Sequence, residues 1–278
     1  MPELPEVETL MRYIRPRVVG QQIREVRILR RRSLWGASPK RFAGALEEQR
    51  IVAVSRRAKY LRFDLQDGEC FLIHLGMTGR VTITDRVRSA KHDVAYIGCG
   101  RKTLVFHDPR KFGHLELGKE SLEGLGPEPL ANGFTTNYLA DALRHSRAPI
   151  KVRLLDQALV VGMGNIYACE ALWRARIDPQ CKSNVLTWRG VALLRRSIVE
   201  TLRAAIRFGG GLSLNFDSAE PGDGLFYYGS GARRDNPSEH FAVYDREGKS
   251  CGRCRAPIAR IRLSGRSTFY CPGCQVEF

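Results

Sequence analysis

Cys251-Gly-Arg-Cys254 and Cys271-Pro-Gly-Cys274 are separated by sixteen residues, a spacing in which two CxxC knuckles each bring two thiolates to one tetrahedral zinc ion. The competing reading is four unrelated buried thiols. With only eight cysteines in 278 residues, chance placement of two CxxC pairs is a poor explanation. Between the knuckles, residues 256–270 form two short alternating segments around Ser264-Gly265, a hairpin too small to fold without its ion. Arg260, Arg262 and Arg266 lie on that hairpin. A basic ribbon suits a grip on nucleic acid, although ribbons also brace structure or bind protein. Cys70, Cys99, Cys169 and Cys181 show no metal spacing and are expected as reduced thiols in or near the core.

The charge balance points the same way. Lysine plus arginine outnumber aspartate plus glutamate by 45 to 29, a formal charge of +16, which draws the chain to a polyanion such as DNA or RNA. Arginine dominates that excess, favouring bidentate phosphate and base contacts. A ribosome-bound protein or one on an anionic membrane could share the excess. The start, MPELPEVE, lacks the basic flank and apolar core of a secretory signal, and no later run reaches the ~18 apolar residues of a membrane helix. The expectation is a soluble, intracellular protein.

The elements that must position these groups change character along the chain. Apolar residues at 7, 10, 11, 14 and 18 predict a helix, with Glu6 and Glu8 near its positive end and Pro16 in its last turn. From Gln22 to about Leu117 the period becomes two. Strands are predicted at 23–28, 51–55, 60–65, 70–75, 80–83, 92–97 and 103–107, with a tight turn at Asp67-Gly68. A glycine- and proline-rich stretch near 116–134 marks a boundary, and helical periodicity follows at 138–145, 150–157, 166–177 and 188–207. Thr187 is placed to cap the last helix, and Gly209-Gly-Gly211 is expected to stop it. Residues 212–241 carry no firm period and contain Phe226, Tyr227 and Tyr228, which suits a loop that closes over something.

Six segments in one order, MPELPEVE, Lys59 at a strand start, His74-Leu-Gly-Met-Thr-Gly79, His107-Asp-Pro-Arg-Lys-Phe-Gly113, Gly162-Met-Gly-Asn-Ile-Tyr167 and the terminal ribbon, resemble the formamidopyrimidine-DNA glycosylases. The resemblance spans essentially the whole chain. It implies an α+β architecture: an N-terminal antiparallel β-sandwich flanked by helices at 1–117, a linker at 118–133, a C-terminal helix–two-turns–helix domain at 134–241 and a four-cysteine zinc ribbon at 242–278. It also implies double-stranded DNA with oxidised bases or abasic sites as partner, bound in the cleft between domains, one structural zinc, a monomer, and a bacterial-type cytoplasmic, nucleoid-associated location.

The implied chemistry runs through Pro2. With the initiator methionine removed, Pro2 is a secondary amine whose pKa of about 8 leaves a nucleophilic fraction at neutral pH. Attack on C1′ of the damaged nucleotide expels the base and leaves an iminium, which acidifies the sugar C–H for successive eliminations. The resemblance makes Glu3 the proton shuttle and Glu6 an organiser of the site. It places Lys59 and Arg266 on phosphates beside the lesion, His92, Lys151, Asn165 and Tyr244 in further DNA contacts, and Glu170 in a supporting role. Met77, Arg110 and Phe112 are implied to fill the gap left by the everted nucleotide, the two apolar side chains as wedges and Arg110 on the orphaned base. Gly162 to Asn165 open a helix, where the backbone approaches a phosphate.

Leu4 in the opening motif tilts the expectation towards oxidised purines, 8-oxoguanine and formamidopyrimidines. The rivals are an endonuclease VIII-like enzyme for oxidised pyrimidines and a non-catalytic zinc-ribbon DNA-binding protein. The extended 215–241 stretch, with Arg233-Arg-Asp-Asn-Pro237, departs from the family's usual short segment, so lesion choice is where a difference would fall.

Overall fold

The computed structural model describes residues 2–211 and 241–276. Residues 2–123 make one compact unit, and residues 124–208 with 241–276 a second. The loop expected at 212–241 falls outside the described residues save for Phe241.

The first unit opens with helix α1, Leu4–Val18. Its start is set by a capping box. Glu3 is the N-cap and Glu6 the third helical residue, and the Glu3 N–H donates to Glu6 Oε2 at 2.8 Å. Leu4, Val7, Leu10, Met11, Ile14 and Val18 are buried at the spacing of one helical face. Pro16 falls in the last turn.

Strand β1 (Ile23–Ile28), the two-residue β2 (Leu34–Trp35), helix α2 (Pro39–Leu46), and strands β3 (Ile51–Arg57), β4 (Tyr60–Leu65), β5 (Cys70–His74), β6 (Arg80–Thr84), β7 (Asp93–Cys99), β8 (Lys102–His107) and β9 (His114–Leu117) follow. They form a four-stranded sheet, β1-β7-β8-β6, and a five-stranded sheet, β2-β9-β5-β4-β3. All named pairings are antiparallel except β2 with β9. One core of buried side chains joins both sheets to α1 and α2, with Phe63 stacked on Phe71 at 4.5 Å and Phe42 edge-on to it at 6.0 Å. Strand β4 shows the alternation that builds it: Leu61, Phe63 and Leu65 point inward, whereas Tyr60, Arg62 and Asp64 line the outer face.

Period-two reading locates seven of these strands, and three short elements escape it. Strands β2 and β9 are too short for an alternation to register. Helix α2 buries only Phe42 and Leu46, and its definition is local, with Ser38 Oγ accepting from Arg41 N at 3.2 Å and Pro39 at the first turn.

The second unit holds α3 (Thr136–Leu143), α4 (Ile150–Leu154), α5 (Asn165–Ala175), α6 (Trp188–Gly211) and a hairpin of β10 (Ala259–Leu263) and β11 (Arg266–Tyr270). Thr187 caps α6 as expected, accepting from Gly190 N at 3.2 Å. The triplet Gly209-Gly-Gly211, expected to stop α6, lies inside it as its last three residues. A glycine costs a helix about 1 kcal/mol against alanine, which weakens the last turn without forbidding it. Helix α5 is buried almost all round, from Ile166 to Ala175. The β10–β11 turn uses Ser264 at φ 46° and Gly265 at φ 76°, two left-handed residues that match the twist of a two-residue hairpin. No helix among the described residues is long and apolar enough to cross a membrane.

Candidate active site and zinc centre

Pro2 and Glu3 sit at the positive end of α1, both buried, with Glu3 only 1% exposed. The capping box fixes the Glu3 and Glu6 carboxylates against the helix start. One turn further, Glu8 accepts from Arg56 Nε at 2.9 Å, and Arg56 Nη1 donates to the Ala58 carbonyl at 2.9 Å. This pair pins α1 to the tip of the β3–β4 hairpin, where Ala58 adopts φ 55° and Lys59 is 8% exposed. In the sequence Glu8 stands out only as a charge near the helix start, and Arg56 does not stand out at all. Nothing local marks a partner 48 residues away.

Beside Lys59 lies a ring cluster on the outer face of the five-stranded sheet. Tyr60, His74 and His114 are in register across β4, β5 and β9, and Trp35 stacks on His114 at 3.5 Å with planes 9° apart. Burial, then the neighbouring His114 and Lys59, push the His74 pKa down to about 3; burial pushes that of His114 down to about 4. Both imidazoles are therefore neutral at physiological pH.

Met77 and Phe112 are 39% and 55% exposed, on two loops that touch, and Arg110 lies over the Phe112 ring at 5.1 Å. The loops meet because Gly76 has φ 61° and a Cβ there would run into the Phe112 backbone. Asp108 ties them together. Fully buried, it accepts from Thr78 Oγ1 at 2.6 Å, Gly113 N at 2.7 Å and Arg110 N at 3.2 Å. Its own N–H donates to the His92 carbonyl at 2.9 Å, which brings His92 beside the same loops. The motifs point to the exposed residues of these loops, and no local pattern points to the carboxylate that holds them.

In the second unit, Lys151 is fully buried, and its ammonium donates to Asn165 Oδ1 at 2.6 Å, Thr268 Oγ1 at 2.6 Å and the Ser267 carbonyl at 3.3 Å. Asn165 Nδ2 also donates to the Ser267 carbonyl, at 2.8 Å. The first residue of α5 is thus joined to the strand that begins with Arg266, and Arg266 itself is exposed at the hairpin turn. Gln157, another residue the sequence did not single out, laces the Gly162-Met163 turn by accepting from Gly162 N and donating to the Met163 carbonyl, each at 2.9 Å. Glu170 accepts the N–H groups of Ala242, Val243 and Tyr244, each at 2.9 Å, and so holds the chain where it enters the ribbon. Burial raises its pKa against those three hydrogen bonds. Tyr244 packs at 5.1 Å on Phe269.

The sulfurs of Cys251, Cys254, Cys271 and Cys274 lie within 4.8 Å of one another. Thiolates so close repel unless a cation sits among them, and four sulfurs on two knuckles are a zinc donor set. The surroundings already stabilise charge on Cys251. Burial opposes ionisation, yet hydrogen bonds from the Cys254 backbone, the Trp173 indole, the Arg253 backbone and the Cys271 thiol outweigh it and lower the pKa to about 6. Gln275 locks the second knuckle to the end of α5, accepting from Cys271 N at 2.8 Å and donating to the Ile177 carbonyl at 2.9 Å.

A β-sandwich unit with an acid-capped N-terminal helix, and a helical unit ending in a four-cysteine ribbon, define an α+β zinc-binding protein with a strong net positive charge. Family models resolve that class further. Residues 1–115 match the formamidopyrimidine-DNA glycosylase N-terminal domain, 125–217 the H2TH domain of the same enzymes and 248–276 the zinc finger found in FPG and IleRS. A formamidopyrimidine-DNA glycosylase of Chloroflexus aurantiacus is 42% identical over 99% of this chain and 98% of its own. One from Ruegeria pomeroyi is 39% identical over 99% and 100%. Among solved structures, the Lactococcus lactis enzyme bound to DNA with an abasic site superposes with a TM-score of 0.85, at 34% identity over 98% of this chain and 99% of that one. A MutM complex with carbocyclic 8-oxo-G DNA gives a TM-score of 0.85, at 34% identity over 99% of each chain. The chain belongs to the formamidopyrimidine-DNA glycosylase family.

Proposed function

We propose that this protein is a bifunctional DNA glycosylase and abasic-site lyase that removes oxidised purines, 8-oxoguanine and formamidopyrimidines, from duplex DNA in the bacterial cytoplasm. The observation that carries the reading is the pairing of Pro2 with a buried, box-locked Glu3 at the head of α1, in a chain of this family. Relatives solved with Fapy-dG and 8-oxo-G DNA support the purine preference.

Pro2 nitrogen, freed by removal of Met1, attacks C1′, and the bond to the base breaks with its electron pair leaving on the base. Glu3 delivers a proton to the opening sugar ring, and Glu6, bonded to the Glu3 N–H, orients it. The resulting iminium draws electrons from the sugar C–H, so that the 3′ and then the 5′ phosphate leave. Lys59 and Arg266 neutralise backbone phosphates beside the lesion, and Asn165, His92 and Tyr244 extend that contact. Lys151 serves by holding Asn165 and the Ser267 carbonyl. Met77, Arg110 and Phe112 occupy the space of the everted nucleotide. Cys251, Cys254, Cys271 and Cys274 would hold a zinc ion, which would keep the Arg266 hairpin in shape.

Borohydride trapping on an 8-oxoguanine duplex tests the route, because it reduces the iminium to a stable crosslink. The native protein should crosslink through Pro2. A variant with one residue inserted ahead of Pro2, which turns its nitrogen into an amide, should not crosslink. Trapping of the extended protein at the native rate would assign the nucleophile elsewhere. Faster excision of thymine glycol than of 8-oxoguanine or formamidopyrimidine would place the substrate among oxidised pyrimidines.

A further inference from the structure

The ribbon is embraced by a residue outside both knuckles. Trp173, on α5, donates its indole N–H to Cys251 Sγ at 3.4 Å, a contact between positions 78 apart in sequence. Arg253, inside the first knuckle, lies over the Trp173 ring at 4.1 Å and donates from Nη1 to the Trp173 carbonyl at 3.0 Å. The same nitrogen is 3.8 Å from Cys274 Sγ, and the Arg253 backbone N–H donates to Cys251 Sγ at 3.4 Å. An indole, a guanidinium and an amide therefore converge on two of the four sulfurs. Cys254 is exposed, whereas Cys251 and Cys271 are buried.

We infer that Trp173 and Arg253 form an outer shell that draws electron density from the Cys251 and Cys274 thiolates and protects the zinc ribbon from thiol-reactive electrophiles, leaving Cys254 as the sulfur that reacts first. This rests on the zinc reading of the four cysteines. Four thiolates on one divalent ion carry a formal charge of −2, which makes each sulfur a nucleophile, and donors from outside the tetrahedron offset that charge. With methyl methanethiosulfonate, a zinc-bound sulfur attacks the reagent's divalent, methyl-bearing sulfur. A new S–S bond forms, methanesulfinate leaves with the electron pair of the broken bond, and the resulting disulfide sulfur no longer holds the ion. Withdrawing density from the attacking sulfur slows that step. For a chain whose proposed substrates are made by oxidants, the shell keeps the Arg266 hairpin folded where those oxidants act.

The test uses full-length zinc-loaded protein and Trp173→Phe, which keeps an aromatic ring for Arg253 and removes the indole N–H together with the pyrrole ring that carries it. Trp188→Phe is the control, since Trp188 lies away from the ribbon with its indole N–H on Asn137 Oδ1 at 3.4 Å. Each protein is challenged with methyl methanethiosulfonate, zinc release is followed with a chromophoric chelator, and the labelled cysteine is identified by mass spectrometry. Trp173→Phe should release zinc on the order of tenfold faster than the native protein and the control, with label appearing at Cys251 as well as Cys254. In cobalt-substituted protein, its thiolate-to-metal charge-transfer band should move to lower energy while the ligand-field bands stay tetrahedral. Equal release rates would overturn the inference. So would faster release with an unmoved charge-transfer band, which would make Trp173 a packing residue only. Native protein that binds no zinc would overturn the zinc reading and this inference together.

Discussion

The heads of α1 and α5 are built from one physical device, the positive end of a helix, and are finished in opposite ways. Helix α1 starts on acids: Glu3 and Glu6 cap each other's backbone, so the helix start holds carboxylates beside Pro2. Helix α5 starts on Gly164, which brings no side chain to the turn, and its first side chain, Asn165, is turned into the network of Lys151 and the Ser267 carbonyl. A helix start filled by its own titratable groups suits proton transfer. A start opened by glycine, with its nearest side chain fixed from below, suits an approaching phosphate. On the proposed function, the difference sets proton transfer at the head of α1 against phosphate binding at the head of α5.

The largest effect should come from Glu3→Gln, which keeps the size and hydrogen-bonding shape of the cap but cannot shuttle a proton. Single-turnover base release should fall by about 10²- to 10⁴-fold, with affinity for an abasic-site duplex unchanged. An equal loss of affinity would reduce Glu3 to a structural cap and erase the contrast between the two helix heads.

Zinc removal acts on the other side of the comparison. Chelation should unfold the β10–β11 hairpin, displace Arg266 and abolish specific duplex binding, while the sandwich unfolds as before. Trp35 lies in the first unit, and Trp173 and Trp188 in the second, so tryptophan variants read each unit separately by fluorescence. Loss of both transitions on chelation would show that the ribbon supports the whole molecule.

Lys151→Met and Arg266→Ala should part company in their salt dependence. The methionine variant leaves Asn165, Thr268 and the Ser267 carbonyl short of a buried donor, at a cost of about 3 kcal/mol to the second unit. DNA affinity should then weaken with no change in the slope of log K against log salt. Arg266→Ala should lower that slope by about one unit, because one phosphate contact is lost. A lowered slope in the Lys151 variant would put its ammonium on DNA.

The smallest expected effect is a divergence of the two units with pH. His74 and His114 are neutral in the fold, with pKa values of about 3 and about 4, but take up protons near 6.5 once unfolded. Unfolded chain thus binds more protons below that value, and the first unit loses about 1.4 kcal/mol per pH unit per histidine as pH falls from 6.5 towards 4. Glu170 has the opposite sign. Its folded pKa is raised above 4.5, so its contribution to the second unit is greatest at low pH and declines as pH rises through the folded value. Urea unfolding at neutral and mildly acid pH should show the first unit weakening on acidification, and His114→Phe, which keeps an aromatic ring under Trp35, should remove part of that slope. A pH-independent first unit would mean the imidazoles are not held neutral.

Much of this was legible in residue order because it is local. The CxxC spacing gathers four sulfurs on one short hairpin, alternation marks β1 and β3 to β8, and the apolar stripe of α1 needs only one helical face. Pro2, Glu3, Met77 and Phe112 are singled out by the family resemblance of the short motifs in which they stand. Tertiary structure alone decided what holds them. Asp108 is bonded to Thr78 across 30 positions, Arg56 to Glu8 across 48, Trp173 to Cys251 across 78 and Lys151 to Thr268 across 117. Lysine is among the residues least often buried without a partner, and Lys151 is fully buried where acceptors from two distant segments meet around it. Periodicity records which face of an element turns inward. Which charged side chains meet there depends on how the chain returns to the same place, and no local pattern carries that information.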